Sequence, residues 1–467
     1  MTLRARWPRP LFLAAAAGAL VAVLAACSSN ATINDAGGGP ASVTTGTVPA
    51  GTARWTTYHH DAARTGVDPS SPAAGKLSQA WERQLDGAVY AEPLVVGSVV
   101  YVATEQNSVY ALDAKDGRVR WVRHLATPVD GVVLPCGNID PSGITGTPVI
   151  DPGSRTLYVV AFESTVHHEL FALDLDDGSV LWERSADPPN DDPSVEQQRG
   201  ALSLLGDRVV VPYGGLYGDC GDYHGWLVSF PTSGTGPMRS FQVPNERQAG
   251  IWAPPGAVTT PDGDLLVATG NGISADAVDG ANSVLRLSPE LAQLDSFAPK
   301  SWAELNEGDL DLGTTSPVVV GSDLVFQIGK EGVGYLLHLD DLGGVGGAVH
   351  SDKVCRGAFG GTAVVGSTVY VPCLDGLFAV HVRDGSSPTF TVTRTGKERF
   401  GPPVVSGGVI WAVTVDDSHL EGFDLSSGRL RYRFPLGQVY TSFPTLAAVD
   451  GRLFVPAGLS IVSYRGA

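Results

Sequence analysis

The chain has 467 residues, with 49 Asp and Glu against 31 Lys and Arg, a formal net charge of -18. Such a field repels nucleic-acid phosphates and anionic headgroups, so neither is expected as a partner of the folded body. Of five cysteines, one sits in the N-terminal leader, and in an exported chain the remaining four favour two disulfides.

The leader carries Arg4, Arg6 and Arg9, then an apolar run from Leu11 to Val23, then Leu-Ala-Ala before Cys27. About 15 apolar residues are too few to hold a bilayer permanently, so residues 1–26 read as a secretory signal. The Cys27 context resembles a bacterial lipobox, which implies cleavage before Cys27 and acylation of that residue. The expected product is a lipoprotein of the cell membrane, facing the extracytoplasmic side; ordinary secretion with an incidental Cys27 is the alternative. Residues 27–53, rich in Gly, Ser, Thr, Ala and Pro without apolar periodicity, read as a flexible tether. Residues 54–467 are then the folded body, expected as a monomer, and no stretch within them is long and apolar enough to span a membrane.

Self-similarity dominates that body. "AEPLVVGSVVYVATEQNSVYALDAKDGRVRWVRHL", residues 91–125, returns as residues 146–186, each reading as four short strands. Gly117 and Gly178 close "DAKDG" and "DLDDG", the chemistry of a tight hairpin, before strands carrying Trp121 and Trp182. Fainter copies begin near Ala201, Pro255, Pro317, Ala363, Pro403 and Pro444, and the last stops one strand short. "SQAWERQL", residues 78–85, has the pattern of the missing strand. Joining the two ends removes two exposed edges, so the expectation is all-β: an eight-bladed β-propeller of four-stranded antiparallel blades, closed by the N-terminal strand joining the C-terminal blade.

The units Ala111 to Trp121 and Ala172 to Trp182 resemble the tryptophan-docking repeat of pyrroloquinoline quinone (PQQ) propellers. The lead-in "RWTTYHHDAARTG", Arg54 to Gly66, is similar to the segment preceding many bacterial members and is expected to cover one propeller face. A ligand role for His59, His60 and Asp61 is the alternative there. The resemblance implies fold more than activity, because one fold hosts catalytic and purely binding members.

In a propeller the loops after second strands and between blades open on one face, and ligand sites gather there around the axis. The Gly-rich "GGLYGDCGDYHG" of blade three is such a loop, and Cys136, Cys220, Cys355 and Cys373 all map to the same face. Cys355 with Cys373 is the nearer pairing, leaving Cys136 with Cys220. A metal role for Cys220 and His224 would need further ligands at suitable spacing, which are absent from the loop. His167 and His168 are adjacent on a strand, so they point to opposite faces.

Gly250 to Gly272 resembles the quinoprotein-dehydrogenase segment that puts a Trp beneath PQQ and an Asn on calcium, which implies Trp252 and Asn271 for those roles. "NEGDLDLGTTSPVVV" resembles the stretch carrying the catalytic carboxylate, implying Asp309 or Asp311. "IGKEGVGYLLHLD" resembles the Lys-x-Gly turn that contacts the quinone oxygens, implying Lys330. The types suit the chemistry: a hard cation polarises a carbonyl, a carboxylate takes a proton, an ammonium stabilises developing charge. The family's calcium-binding Glu is replaced here by Cys220, with Asp219 or Asp222 as candidate substitutes. Neither an adjacent Cys pair nor a haem-attaching Cys-x-x-Cys-His occurs. The expected cofactors are therefore PQQ and calcium, without haem, and the expected partner is a small-molecule ligand or an envelope protein. Blade packing by Trp252, a plain Gly-Asn-Gly turn and a surface Lys330–Glu331 pair are the structural alternatives.

Overall fold

The computed structural model describes residues 54–466; the leader, Cys27 and the whole of the proposed tether lie outside them. Blade one consists of Leu94–Val96, Val99–Ala103, Ser108–Asp113 and Val119–His124. Blades two to seven follow at residues 149–185, 203–242, 258–298, 318–353, 363–396 and 404–435. Blade eight combines Ala447–Val449, Arg452–Ala457 and Ser460–Gly466 with the N-terminal strand Leu77–Gln84, paired antiparallel to the last of these. Eight sheets in a ring, closed by the chain's two ends, are what the repeat predicted.

Burial explains the strand patterns. Middle strands are pressed between neighbouring blades on both faces, so Thr156–Glu163 is buried along nearly its whole length. Outer strands such as Val180–Ser185 alternate between exposed and half-buried residues, because only one face meets a neighbour. Tryptophans tie the blades together. Trp81 donates to Ala114 O, Trp121 to Leu175 O and Trp182 to Thr232 O, at 3.1, 3.1 and 3.2 Å. Each indole lies flat on the hairpin glycine of the next blade, Gly117, Gly178 or Gly234, where a Cβ would come within 2.6 Å of the ring. The repeat therefore encodes a contact between blades as well as a turn within one.

The lead-in departs from expectation. Rather than covering a face, it threads the interior of the ring. Arg54–Trp55 adds to blade one and Val67–Asp68 to blade seven. Between them, Thr56 O accepts from Ile150 N, Ala62 O from Thr259 N, and Thr65 O from Val364 N. Arg64, fully buried, donates to Leu202 O and Ser203 Oγ at 3.0 and 2.7 Å. An eight-bladed ring has a central channel, and this segment fills part of it with its own hydrogen bonds satisfied by the innermost strands. His59 is consumed by that role: it is buried, stacks on Tyr58 and bonds Thr362 O. His60 pairs with Asp61 at 3.6 Å, and Asp61 also accepts from Thr65, so the three act in packing the lead-in.

Four blades carry a fifth strand, among them blade three, where Glu196–Gln197 pairs with Gly214 and Gly215. A short helix, Trp302–Glu307, precedes blade five. The helix and the blade-three strand Glu196–Gln197 do not recur at the repeat's period, so neither leaves a repeat signal in the sequence.

Candidate functional site

Blades four and five bring the four resemblance-derived positions together. Gly270 N donates to Gly250 O at 2.9 Å, which sets the Trp252 segment beside the end of blade four's second strand. Asn271 N donates to Asp311 Oδ1 at 2.6 Å, and Lys330 N to Asp311 O at 2.8 Å. The Lys330 ammonium lies 2.6 Å from Asp311 Oδ2 and 2.6 Å from Asp309 Oδ1. Asn306, on the short helix, supports the loop by accepting from Gly272 N and Asn282 Nδ2, while Asn282 Oδ1 accepts from Leu312 N. At Gly270 a Cβ would stand 2.8 Å from Asp311 Oδ1 and 3.2 Å from Trp252 Nε1. Glycine is needed there so that carboxylate and indole can meet over the backbone.

The two candidate aspartates separate clearly. Asp311 has a side chain 5% exposed, whereas that of Asp309 is 67% exposed and only flanks the ammonium. Burial pushes the Asp311 carboxyl above the ordinary range, and Lys330 offsets this only in part. Burial also works against the Lys330 charge, but the attraction of Asp311 and the hydrogen bonds of both aspartates outweigh it and hold its pKa above normal.

The blade-three loop is stapled as expected, with disulfides Cys136–Cys220 and Cys355–Cys373. Asp219 accepts from Tyr223 Oη at 2.6 Å. Asp222 is exposed and pairs with Arg247 at 3.9 Å, so the structure does not bring it to the cluster. His224 lies 3.4 Å from Asp191, with no Cys220 thiol free to join it. His167 and His168 differ in exposure as the strand pattern requires, yet both reach the carboxylate of Asp187, at 2.7 and 3.1 Å.

Two features escaped the sequence reading. A small axial cleft of about 10 Å³, room for about one water and partly open to solvent, is lined among others by Tyr58, Tyr90, Thr145, Arg199 and Phe443. It adjoins the cluster through Phe443, whose ring centroid is 6.3 Å from that of Trp252. Buried carboxylates surround this region. Glu92 accepts from Trp55 Nε1 and His59 N, and burial pushes its pKa up to about 8. Glu105 accepts from Gly143 N and Thr145, and burial lifts it to about 7. Glu196 is buried too, accepting from His224 N at 3.0 Å, with one oxygen unpartnered. A single Glu or Arg in a loop carries no signal of burial; only the closed ring supplies it.

The fold is an eight-bladed β-propeller, and part of the chain is similar to PQQ-repeat proteins. Residues 70–218 match a PQQ_2 family model described as outer membrane protein assembly factor BamB. The 1-butanol dehydrogenase (cytochrome c) of Thauera butanivorans is 26% identical over 167 residues, 34% of this chain and 22% of that protein. The polyvinylalcohol dehydrogenase of a Sphingopyxis species is 26% identical over 241 residues, 45% of this chain and 34% of that protein. The matched part of the chain thus spans between about a fifth and a third of the length of these curated relatives. Among solved structures, the quinohemoprotein alcohol dehydrogenase of Comamonas testosteroni superposes with a TM-score of 0.66 at 15% identity, covering 88% of this chain and 80% of that one. BamB of Moraxella catarrhalis gives 0.56 at 14% identity, covering 84% and 98%. At these identities the structural likeness carries the fold alone.

The residues fit the two implied groups unequally. An indole with the Lys330 ammonium in the same cluster is the chemistry a planar anion wants, but the adjoining cleft has room for only about one water, so a quinone would need that space to open. Calcium is another matter, because it takes about six to eight oxygen ligands. Here Asp311 and Asn271 offer side-chain oxygens, but an ammonium already occupies one carboxylate oxygen and Asp222 points elsewhere. Among the described residues, the one three-member cluster of metal-binding side chains is Cys355, Cys373 and Asp375, and its sulfurs are spent in a disulfide. The calcium site is therefore incomplete.

Proposed function

We propose that this chain is a membrane-anchored, extracytoplasmic PQQ-repeat propeller that binds a small planar ligand in its axial cleft. The observation that carries the reading is the convergence of Trp252, Asn271, Asp311 and Lys330, with the Trp252 ring 6.3 Å from that of Phe443, which lines the cleft. In this reading Trp252 provides an aromatic surface, and Lys330 and Asp311 form a buried polar pair at its edge. Bound PQQ would supply the redox chemistry. Lys330 would stand near its oxygens as a cation, and Asp311 would hold or release a proton at its carboxyl. Anchoring through acylated Cys27 would hold a monomeric body at the membrane surface, away from nucleic acid.

The test is thermal unfolding of the purified body with added PQQ, in the presence and absence of calcium. A ligand that binds only the folded state raises Tm. An upward shift with PQQ, lost in Trp252→Ala, is expected; no shift at saturation rejects the pocket. Oxidation of an alcohol panel with an artificial acceptor would then establish a dehydrogenase.

The incomplete calcium donor set favours a second reading, an envelope scaffold that binds protein rather than quinone. The family match described as an assembly factor supports it. Crosslinking in membranes distinguishes the two: a stoichiometric protein partner together with no PQQ response supports the scaffold.

A further inference from the structure

The net charge of -18 is unevenly placed, and one sector of the ring is basic. The hairpins joining first to second and third to fourth strands lie at one end of every blade, opposite the end that carries the disulfide-stapled loops. On blades seven, eight and one these turns are stitched together. Arg452 Nη1 donates to Ala114 O at 3.4 Å, tying the first turn of blade eight to the last turn of blade one. Arg431 and Tyr432 of blade seven donate to Ala74 O at 3.2 and 3.1 Å, just before the strand Leu77–Gln84. Arg452 faces Arg465 across blade eight, and Arg465 faces Ser78. Arg54 pairs with Val96 beside the first turn of blade one, so the residues between Cys27 and Arg54 join the ring at this sector.

Carboxylates do not balance these cations. Asp113 accepts from Lys115 N and pairs with Arg120 at 2.7 Å, while Asp424 accepts from Ser426 and Ser427 and pairs with Arg431 at 3.2 Å. Asp116 takes Arg118 at 3.4 Å, and Asp450 is the remaining acid of these turns. Arg54, Lys76, Lys115, Arg429, Arg452 and Arg465 are left without an ion pair among the described residues, and all but Arg452 are exposed. Acids collect elsewhere. The corresponding turn of blade two carries exposed Asp176 and Asp177, and the opposite end of the ring exposes Asp222, Glu246, Asp276 and Asp309. At physiological salt charges are screened beyond about 8 Å, so a surface in contact with blades seven, eight and one feels this sector and not the net charge of the chain.

We propose that this sector is a membrane-docking surface, and that its partner is the anionic headgroup layer of the bilayer that holds the anchor. The cations surround Arg54, so an acylated Cys27 would deliver this sector to the headgroups in preference to the acidic end of the ring. An acyl chain and a basic patch reinforce one another, because each alone binds a bilayer only weakly. The stapled loops and the Trp252 cluster then face away from the bilayer. The proposal rests on the anchored reading above. It also revises the expectation drawn from net charge, which averages over a separation that only the closed ring makes.

The experiment uses the mature chain with Cys27→Ser, which cannot be acylated, so that only protein surface can hold it to a bilayer. Co-sedimentation is measured with vesicles of phosphatidylcholine alone and with vesicles containing about three-tenths phosphatidylglycerol. Binding about tenfold tighter to the anionic vesicles is expected, falling as salt is raised to about 0.5 M. Reversing four exposed cations of the sector, by Lys76→Glu, Lys115→Glu, Arg429→Glu and Arg465→Glu together, is expected to abolish the preference. As many reversals on blades three to six, Arg239→Glu, Lys353→Glu, Arg356→Glu and Lys397→Glu, are expected to leave it. Should the first variant fold poorly, Gln at the same four positions and the salt dependence of the unreversed chain still decide. Equal binding to both kinds of vesicle, binding indifferent to salt, or equal loss in the two variants each overturns the proposal. Mass spectrometry of the chain extracted from membranes separates the two readings. An acylated Cys27 with no anionic preference in the Cys27→Ser chain leaves the anchor standing while docking falls. A Cys27 without an acyl chain ends the anchor, and an anionic preference that persists then belongs to the surface itself.

Discussion

The Lys330 ammonium lies 2.6 Å from the buried carboxylate of Asp311 and 2.6 Å from the exposed one of Asp309. That asymmetry makes a prediction. Lys330→Met strands Asp311 as a buried charge, and removing one partner of such a pair costs about 3 kcal/mol. Asp309→Ala, which loses a solvent-screened contact, should cost under about 1 kcal/mol. Urea unfolding measures both. The double change Lys330→Met, Asp311→Asn should recover much of the loss; equal effects of the two single variants would show that Asp309 shares the burden.

The hairpin glycines under the tryptophans offer a second measurement. Gly178 has φ of 69° and supports the Trp121 ring at a distance no methyl group could share. Gly178→Ala adds a steric clash to a left-handed backbone cost of about 1–2 kcal/mol. The expected drop in stability should be accompanied by a change in near-ultraviolet circular dichroism from Trp121. A neutral substitution would mean the docking contact contributes nothing.

The disulfides differ in the length of chain they close, 84 residues for Cys136–Cys220 and 18 for Cys355–Cys373. Loop-closure entropy grows with the logarithm of length, so replacing the first pair with Ser should cost about 1 kcal/mol more than replacing the second. Chemical denaturation of the two double variants compares them directly. Free thiols counted in the untreated body should be absent at all four positions.

Buried titrating groups near the lead-in give a pH signature. Burial raises Glu92 to about 8, against an ordinary 4.5, so the folded state holds its proton more tightly. Its contribution is full below about 4.5 and is lost as pH rises through about 8. His59 runs the other way. Burial lowers it to about 3, so its contribution is present above an ordinary 6.5 and lost as pH falls below that. Arg64, Tyr58 and Asp61 face the same pair. Between about pH 6.5 and 8, only the Glu92 loss remains of these two opposed trends, and Tm should fall across that window. Glu92→Gln should flatten the fall, as a set of melts at half-unit pH steps would show.

The repeat made the ring legible because each blade must bury both faces of its middle strands and dock its Trp on the next turn; that requirement recurs in the chain and leaves a period. "WER" at Trp81 and the truncated last copy revealed the closure for the same reason. The disulfides were legible because their loops share one face of such a ring. Features that occur once were not. The lead-in's passage inside the ring, the cleft-lining Arg199 and the buried Glu92, Glu105 and Glu196 depend on which loops from distant blades meet at the axis. The loop "GGLYGDCGDYHG" had suggested calcium-binding aspartates, yet the backbone turned Asp222 to solvent and gave Asp219 to Tyr223. Asp309 and Asp311 are two residues apart and chemically identical; burial under the Gly270 backbone chose between them, and burial is a property of the assembled fold.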